Sequence, residues 1–276
     1  MEQSKPRSAN DILLETTGLT KIFGGLKAVS DFDLSVHKGE ILSLIGPNGA
    51  GKTTVFNVVT GIYNPEHGDV FFKGERITGK KPYQIIYYGI ARTFQNIRLF
   101  PDMTCLENVM AGQHCRATSG LISSVFRTPG MRREEKRIRE VAEERIRQVD
   151  LWQFKDELAK NVAYGSQRML EIARALASGP ELLVLDEPSS GLNPNETHDL
   201  MEFLKELIRS EALTILLIEH DMNVVMGISD WVVVMDEGKK IAEGPPVEIY
   251  NNPDVIEAYL GKDDEGEEHA GTVVHW

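Results

Sequence analysis

The sequence predicts an α/β protein with a parallel sheet covered on both faces, an N-terminal antiparallel β region and an inserted α-helical subdomain. Three observations lead there. Short, largely apolar runs at Ile41 to Ile45, Leu182 to Leu185 and Leu213 to Ile218 read as strands buried on both sides, as parallel strands are. Period-two alternation puts Phe32, Leu34 and Val36 on one face, ahead of a turn at His37-Lys38-Gly39. Between about Arg98 and Asn161, strand-like runs give way to charged sequence with helical spacing.

In chain order, the run from Ile41 stops at a glycine-rich loop, and Thr53 to Val59 reads as a helix closed by Gly61. A hairpin is expected around Lys73-Gly74, after Val70, Phe71 and Phe72 and before Ile77. Arg132 to Val149 carries Ile138, Ala142, Ile146 and Val149 as one buried helical stripe. Glu135–Arg139 and Glu143–Arg147 are (i, i+4) pairs on its solvated face, each contributing about 0.2–0.5 kcal/mol. A helix is expected from about Asn195 to Ser210, and a closing hairpin from Trp231–Met235, through Asp236-Glu237-Gly238, to Lys240–Ala242. The core then takes residues 11–96 and 166–261, the helical subdomain 97–165, and an acidic, aperiodic tail, 262–276, is expected to be disordered.

Bulk properties narrow the function classes. The net charge of -12 argues against a broad grip on nucleic acid. No apolar run reaches the roughly 20 residues that span a bilayer, and the polar start, Met1 to Asn10, lacks a signal peptide's apolar segment. A cytoplasmic location follows as the expectation. Cys105 and Cys115 have no metal-ligand spacing and read as free thiols.

Gly46-Pro47-Asn48-Gly49-Ala50-Gly51-Lys52-Thr53 fits G-x-x-x-x-G-K-[ST], with a strand entering and a helix leaving. Glycines there let successive N–H groups turn toward phosphate oxygens. Lys52 supplies charge to the β- and γ-phosphates, the helix start adds its dipole, and the Thr53 hydroxyl is placed for Mg²⁺; Thr54 extends the contact. Leu182-Leu183-Val184-Leu185-Asp186-Glu187 supplies a second element, two carboxylates at the C-terminal end of a buried strand. Asp186 is expected to hold the magnesium shell, and Glu187 to polarise the attacking water as general base. Together they define a P-loop NTPase core of RecA-like type, and nothing resembles the N-K-x-D guanine reader.

Four further features, in fixed order, resemble the ATPases of ABC transporters over about residues 11 to 261. Gln95, in Arg92-Thr93-Phe94-Gln95, matches the Q-loop residue that senses Mg²⁺ and γ-phosphate. Val162-Ala163-Tyr164-Gly165-Ser166-Gln167 stands where the signature motif does, followed by Glu171-Ile172-Ala173-Arg174-Ala175-Leu176. Ser190-Gly191-Leu192-Asn193 resembles the D-loop, and His220 the switch histidine that contacts the γ-phosphate. The resemblance implies that Phe23 stacks on adenine; a core position suits it as well. Two departures stand out. The family's signature serine is Ala163 here, losing a bond to a charged group that is typically about 1.5–3 kcal/mol, and the D-loop ends in Asn193 rather than Asp. Both lie in segments that the family presents to a partner's nucleotide, so two unequal ATP sites in a heterodimer are expected, with a homodimer as the other possibility.

Phe23-Gly24-Gly25-Leu26, Arg92 to Phe100, Asn161 to Gly165 and Asn252 to Gly261 are similar to LivG-type ATPases, with Ser166 in place of a more usual glutamine. That subgroup implies ATP-driven, high-affinity uptake of branched-chain amino acids. Its partners are a second ATPase of LivF type, two transmembrane permease subunits and a solute-binding protein, placing this chain at the cytoplasmic face of the membrane. Leu99, Phe100 and Met103, within Asn96 to Asn108, are the expected permease contact, or else they pack the helical subdomain. Urea, amide and lipopolysaccharide transporters, or a soluble ABC ATPase, are the alternatives.

Overall fold

The computed structural model describes residues 7, 11–113 and 129–260. Two sheets form its frame. A four-stranded antiparallel sheet has the order β2-β1-β4-β5, from β1 (Ile12–Phe23), β2 (Leu26–His37), β4 (His67–Phe72) and β5 (Glu75–Arg76). A six-stranded sheet has the order β10-β9-β3-β8-β7-β6, built from β3 (Ile41–Ile45), β6 (Ile90–Arg92), β7 (Leu182–Asp186), β8 (Thr214–Ile218), β9 (Trp231–Asp236) and β10 (Lys239–Gly244). All its neighbours run parallel except β10, which returns antiparallel along β9 through the Glu237-Gly238 turn, both residues at positive φ.

Every residue of β3, β7 and β8 is buried, as their apolar runs require. Register aligns their ends: Leu44 and Asp186 both pair with Ile218. The C-terminal tips of three adjacent strands therefore open on one level, the place where open α/β sheets bind ligands.

One core cluster lies between the two sheets, where Phe32, Leu34 and Val36 meet Leu42, Leu44 and helix α1 (Lys52–Val59) through Val55 and Phe56. A second covers the other face of the large sheet with α5 (Tyr164–Ala177), α6 (Pro194–Glu211) and α7 (Met222–Ile228). A third holds α3 (Cys105–Gln113) and α4 (Pro129–Gln148) against α5, with Ala142, Ile146 and Val149 buried as the stripe predicts. Helix α5 serves both groups, turning Ile172 and Leu176 to the sheet and Leu170, Ala173 and Ala177 to the helices. A fourth cluster seats α8 (Pro246–Tyr250) and α9 (Pro253–Leu260) against β9 and Ile45, with α2 (Pro82–Tyr88) lying elsewhere, before β6.

Some local readings are corrected. Among the described residues, the (i, i+4) ion pairs within α4 are Glu143–Arg147, as expected, at 3.5 Å and Lys136–Glu140 at 3.6 Å, and Glu135–Arg139 is not among them. Helix α1 starts at Lys52, one residue early, because Gly51 takes the left-handed conformation at its N-cap. The tail 262–276 and Cys115 lie outside the described residues. Cys105 is buried, and burial pushes its thiol up. Among the described residues, no helix is long and apolar enough to cross a membrane.

Candidate functional site

The loop between β3 and α1 is shaped by contacts that only glycine permits. At Gly46 a Cβ would collide with the Met235 carbonyl, and at Gly51 with that of Ala28, both at positive φ. Ala50 N–H donates to Pro47 O at 3.1 Å, and Gly238 N–H to Ala50 O at 2.9 Å, tying the loop to the β9–β10 turn. No side chain caps α1, so its first N–H groups are left for an acceptor from outside. Asn48, Gly49 and Thr53 are exposed, Pro47 and Thr54 partly so. The Lys52 ammonium curls over the loop, donating to Gly46 O at 2.6 Å and Pro47 O at 3.0 Å. Burial lowers its pKa, while Glu187 and Asp186 pull it back up.

At the tip of β7, Asp186 is 3% exposed and its Oδ2 is held by Arg92 Nη2 at 2.7 Å. Its Oδ1 is enclosed and has no hydrogen-bond partner among the described residues. Glu187 follows at φ 47°, a left-handed conformation costly for a residue with a Cβ and often found at functional positions. Its Oε2 accepts from Gln95 Nε2 at 2.8 Å and lies 3.8 Å from His220 Nδ1. His220 stands at the end of β8, where the buried Glu219 carboxylate accepts from Ser189 N–H at 3.0 Å and His220 N–H at 3.3 Å. Burial raises the Glu219 pKa against those bonds. Lys52, Asp186, Glu187, Gln95 and His220 are thus gathered at adjacent strand ends.

The other expected residues form a second surface. Ala163 is the N-cap of α5 and offers no side-chain cap; Tyr164, Gly165, Ser166 and Gln167 make the first turn. Tyr164 Oη donates to Ser190 O at 3.3 Å, and its ring lies against Gly191. Asn193 caps α6: its Oδ1 accepts from Asn195 N and Glu196 N, each at 3.0 Å, and Asn193 N–H donates to Glu196 Oε2 at 2.9 Å. That capping box occupies the side-chain oxygen of Asn193 within its own chain. Leu192 packs on the core beside α6.

A family profile described as "ABC transporter" matches residues 29–190. A second, described as "Branched-chain amino acid ATP-binding cassette transporter", matches residues 239–265. The high-affinity branched-chain amino acid transport ATP-binding protein BraF of Pseudomonas aeruginosa is 47% identical over 250 residues, 91% of this chain and 98% of that protein. LivG of Escherichia coli K12, of the same description, is 48% identical with the same coverage. This chain belongs to the ABC transporter ATP-binding proteins. Its fold agrees with that assignment. A crystal structure of the ADP conformation of an ATP-binding cassette of an ABC transporter superposes with a TM-score of 0.79 at 35% identity, covering 91% of this chain and 99% of that one.

In this cassette Phe23 is 41% exposed and meets Tyr63 edge-on, ring centres 5.2 Å apart, so it is not a core residue. Leu99, Phe100, Arg98 and Ile86 line an open groove of about 660 Å³ with Glu171, beside the Gln95 segment. Two residues escaped sequence reasoning. Arg92 binds Asp186 and also donates to Asn57 Oδ1 and Thr60 Oγ1, partners distant in sequence. Arg168 is wholly buried between the Gln95 segment and Tyr164. In the sequence Arg92 stands in Arg92-Thr93-Phe94-Gln95 and Arg168 directly after Gln167, and neither context indicates the partners.

Proposed function

We propose that this chain hydrolyses ATP to drive an importer of branched-chain amino acids. The observation that carries the chemistry is the meeting of Lys52, Asp186, Glu187 and His220 at the aligned ends of β3, β7 and β8, with Gln95, after β6, bonded to Glu187. The similarity to BraF and LivG supports the solute class.

In this reading the phosphates of ATP lie along the backbone N–H groups of Gly46 to Thr54, and Lys52 leaves its two carbonyls for the β- and γ-phosphates. Glu187 is the general base for the attacking water, with Gln95 and His220 orienting it near the γ-phosphate. The orphaned Asp186 Oδ1 fits a cation's shell. Asp186, Thr53 and Gln95 would hold Mg²⁺, which would supply positive charge to offset that of the phosphates. Phe23, with Tyr63 beside it, offers a ring face to adenine.

A second ATPase subunit completes each site in trans through the 163–167 segment and the 190–193 loop. Ala163 makes the site that this chain completes the poorer in donors. Residues 97–165 act as an arm that carries the groove of Leu99 and Phe100 against a permease subunit, which places the chain peripherally at the inner membrane face. Two permeases and a solute-binding protein complete the transporter.

Uptake of labelled leucine, isoleucine and valine in a strain lacking this gene tests the proposal. Wild type should restore uptake, while Lys52→Ala and Glu187→Gln should not. Restored uptake of urea or a short amide in place of these amino acids would redirect the substrate reading.

A further inference from the structure

We propose that Arg168 is a positioning residue that couples the Gln95 segment to the start of α5 and, through the Tyr164 hydroxyl, to the 190–193 loop. The inference rests on the nucleotide reading above and assigns a role to a side chain outside the site as described.

Arg168 has no exposed surface. Its guanidinium donates from Nη1 to Phe94 O at 2.9 Å and from Nη2 to Gln95 O at 2.9 Å. Nη2 also reaches the Tyr164 Oη at 3.3 Å, and that hydroxyl donates onward to Ser190 O at 3.3 Å. Glu171 balances the buried charge at 3.3 Å, and its other oxygen accepts Arg98 N–H at 3.0 Å. The Tyr164 ring packs so near Gly191 that a Cβ there would sit 2.9 Å from its Cε1.

Consider what this linkage does when Gln95 moves. The side chain of Gln95 is bonded to Glu187, whereas its carbonyl is bonded to Arg168. A planar guanidinium fixes two adjacent carbonyls at once, so the 94–95 backbone and the first turn of α5 shift as one body. The hydroxyl of Tyr164 extends that body to Ser190. Three segments far apart in sequence, and all addressed to nucleotide in the proposed mechanism, are joined by one side chain. A lysine at 168 would keep the charge beside Glu171 but lacks the fork needed for both carbonyls.

Hydrogen–deuterium exchange of the full chain, with and without MgATP, tests this. In wild type, MgATP should slow exchange at 46–53, 94–98, 164–168 and 190–192 together. In Arg168→Lys the change should persist at 46–53 and 94–98 but fade at 164–168 and 190–192. Steady-state kcat should then fall about tenfold or more while KM for MgATP moves less than about twofold. Tyr164→Phe, a partly exposed position that spares the fold, should lose only the response at 190–192. MgATP responses reaching all four segments in both variants would overturn the relay. Absence of any wild-type response at 46–53 would overturn the nucleotide reading itself, and the relay with it.

Discussion

Gln95 Nε2 donates to Glu187 Oε2 at 2.8 Å, joining the residue expected to sense the nucleotide to the one expected to activate water. The carboxylate is only partly open to solvent, and His220 Nδ1 lies 3.8 Å from it. Glu187→Gln removes the only carboxylate of the three and sets an amide against the Gln95 amide. Turnover should fall by about 10²–10⁴, while MgATP still binds. Phosphate release under steady-state conditions, alongside equilibrium nucleotide binding, measures both. Turnover within tenfold of wild type would move the base to His220.

Arg92 and Asp186 form a buried ion pair, their side chains 8% and 4% exposed. Desolvating two charges is costly, so the pair adds little over an apolar replacement, but stranding one partner costs about 3–5 kcal/mol. Arg92→Met should therefore destabilise the chain by that order, and Arg92→Met with Asp186→Asn by distinctly less. Denaturant unfolding of the four proteins closes the cycle. Additive losses would mean that Arg92 acts through Asn57 and Thr60 rather than Asp186.

The contrast between these residues says what the sequence made legible. Strands β3 and β7, the loop from Gly46 and the carboxylates at the end of β7 are readable because each is a contiguous pattern whose chemistry is local. The partner of Arg92 is 94 residues away and that of Arg168 lies across the site, so no spacing rule encodes either. Strand β6 was missed because three residues carry no period and its pairing with β7 is wholly tertiary. Asn193 carried two readable messages. Standing where the resembled family has Asp, it implies a changed partner contact, whereas Asn193-Pro194-Asn195-Glu196 is also a capping box, which the structure forms. Phe23 was ambiguous because strand alternation fixes a face but not what covers it.

Ala163 sits at an N-cap with φ -59° and ψ 155° and no side-chain bond to the helix. The backbone is already that of a capping residue, so a serine hydroxyl can accept from an N–H in the first turn without rearrangement. Ala163→Ser should stabilise the isolated chain by about 1 kcal/mol, seen as a higher urea midpoint at unchanged m. In the assembled transporter the same hydroxyl would restore a donor toward the partner's nucleotide, raising turnover. A stability gain with no change in turnover would separate the two effects and count against functional asymmetry between the ATP sites.

Tyr259, on α9, packs into the cluster that holds Ile45, the residue before the phosphate loop. Its hydroxyl is enclosed, and burial pushes the phenol from 10.0 up to about 12, with a hydrogen bond from the Gly46 backbone opposing the shift. A folded-state pKa above the unfolded one means that the native chain holds the proton over a window where the unfolded chain has lost it. Its contribution is therefore fully present below pH 10 and is lost as pH rises toward 12. By pH 11 the loss should be about 1.4 kcal/mol. Tyr259→Phe lacks the titrating group, so the stability difference between wild type and variant should shift by that amount between pH 8 and pH 11. Denaturant midpoints at the two pH values measure it, and a constant difference would mean that the phenol ionises without leaving its site.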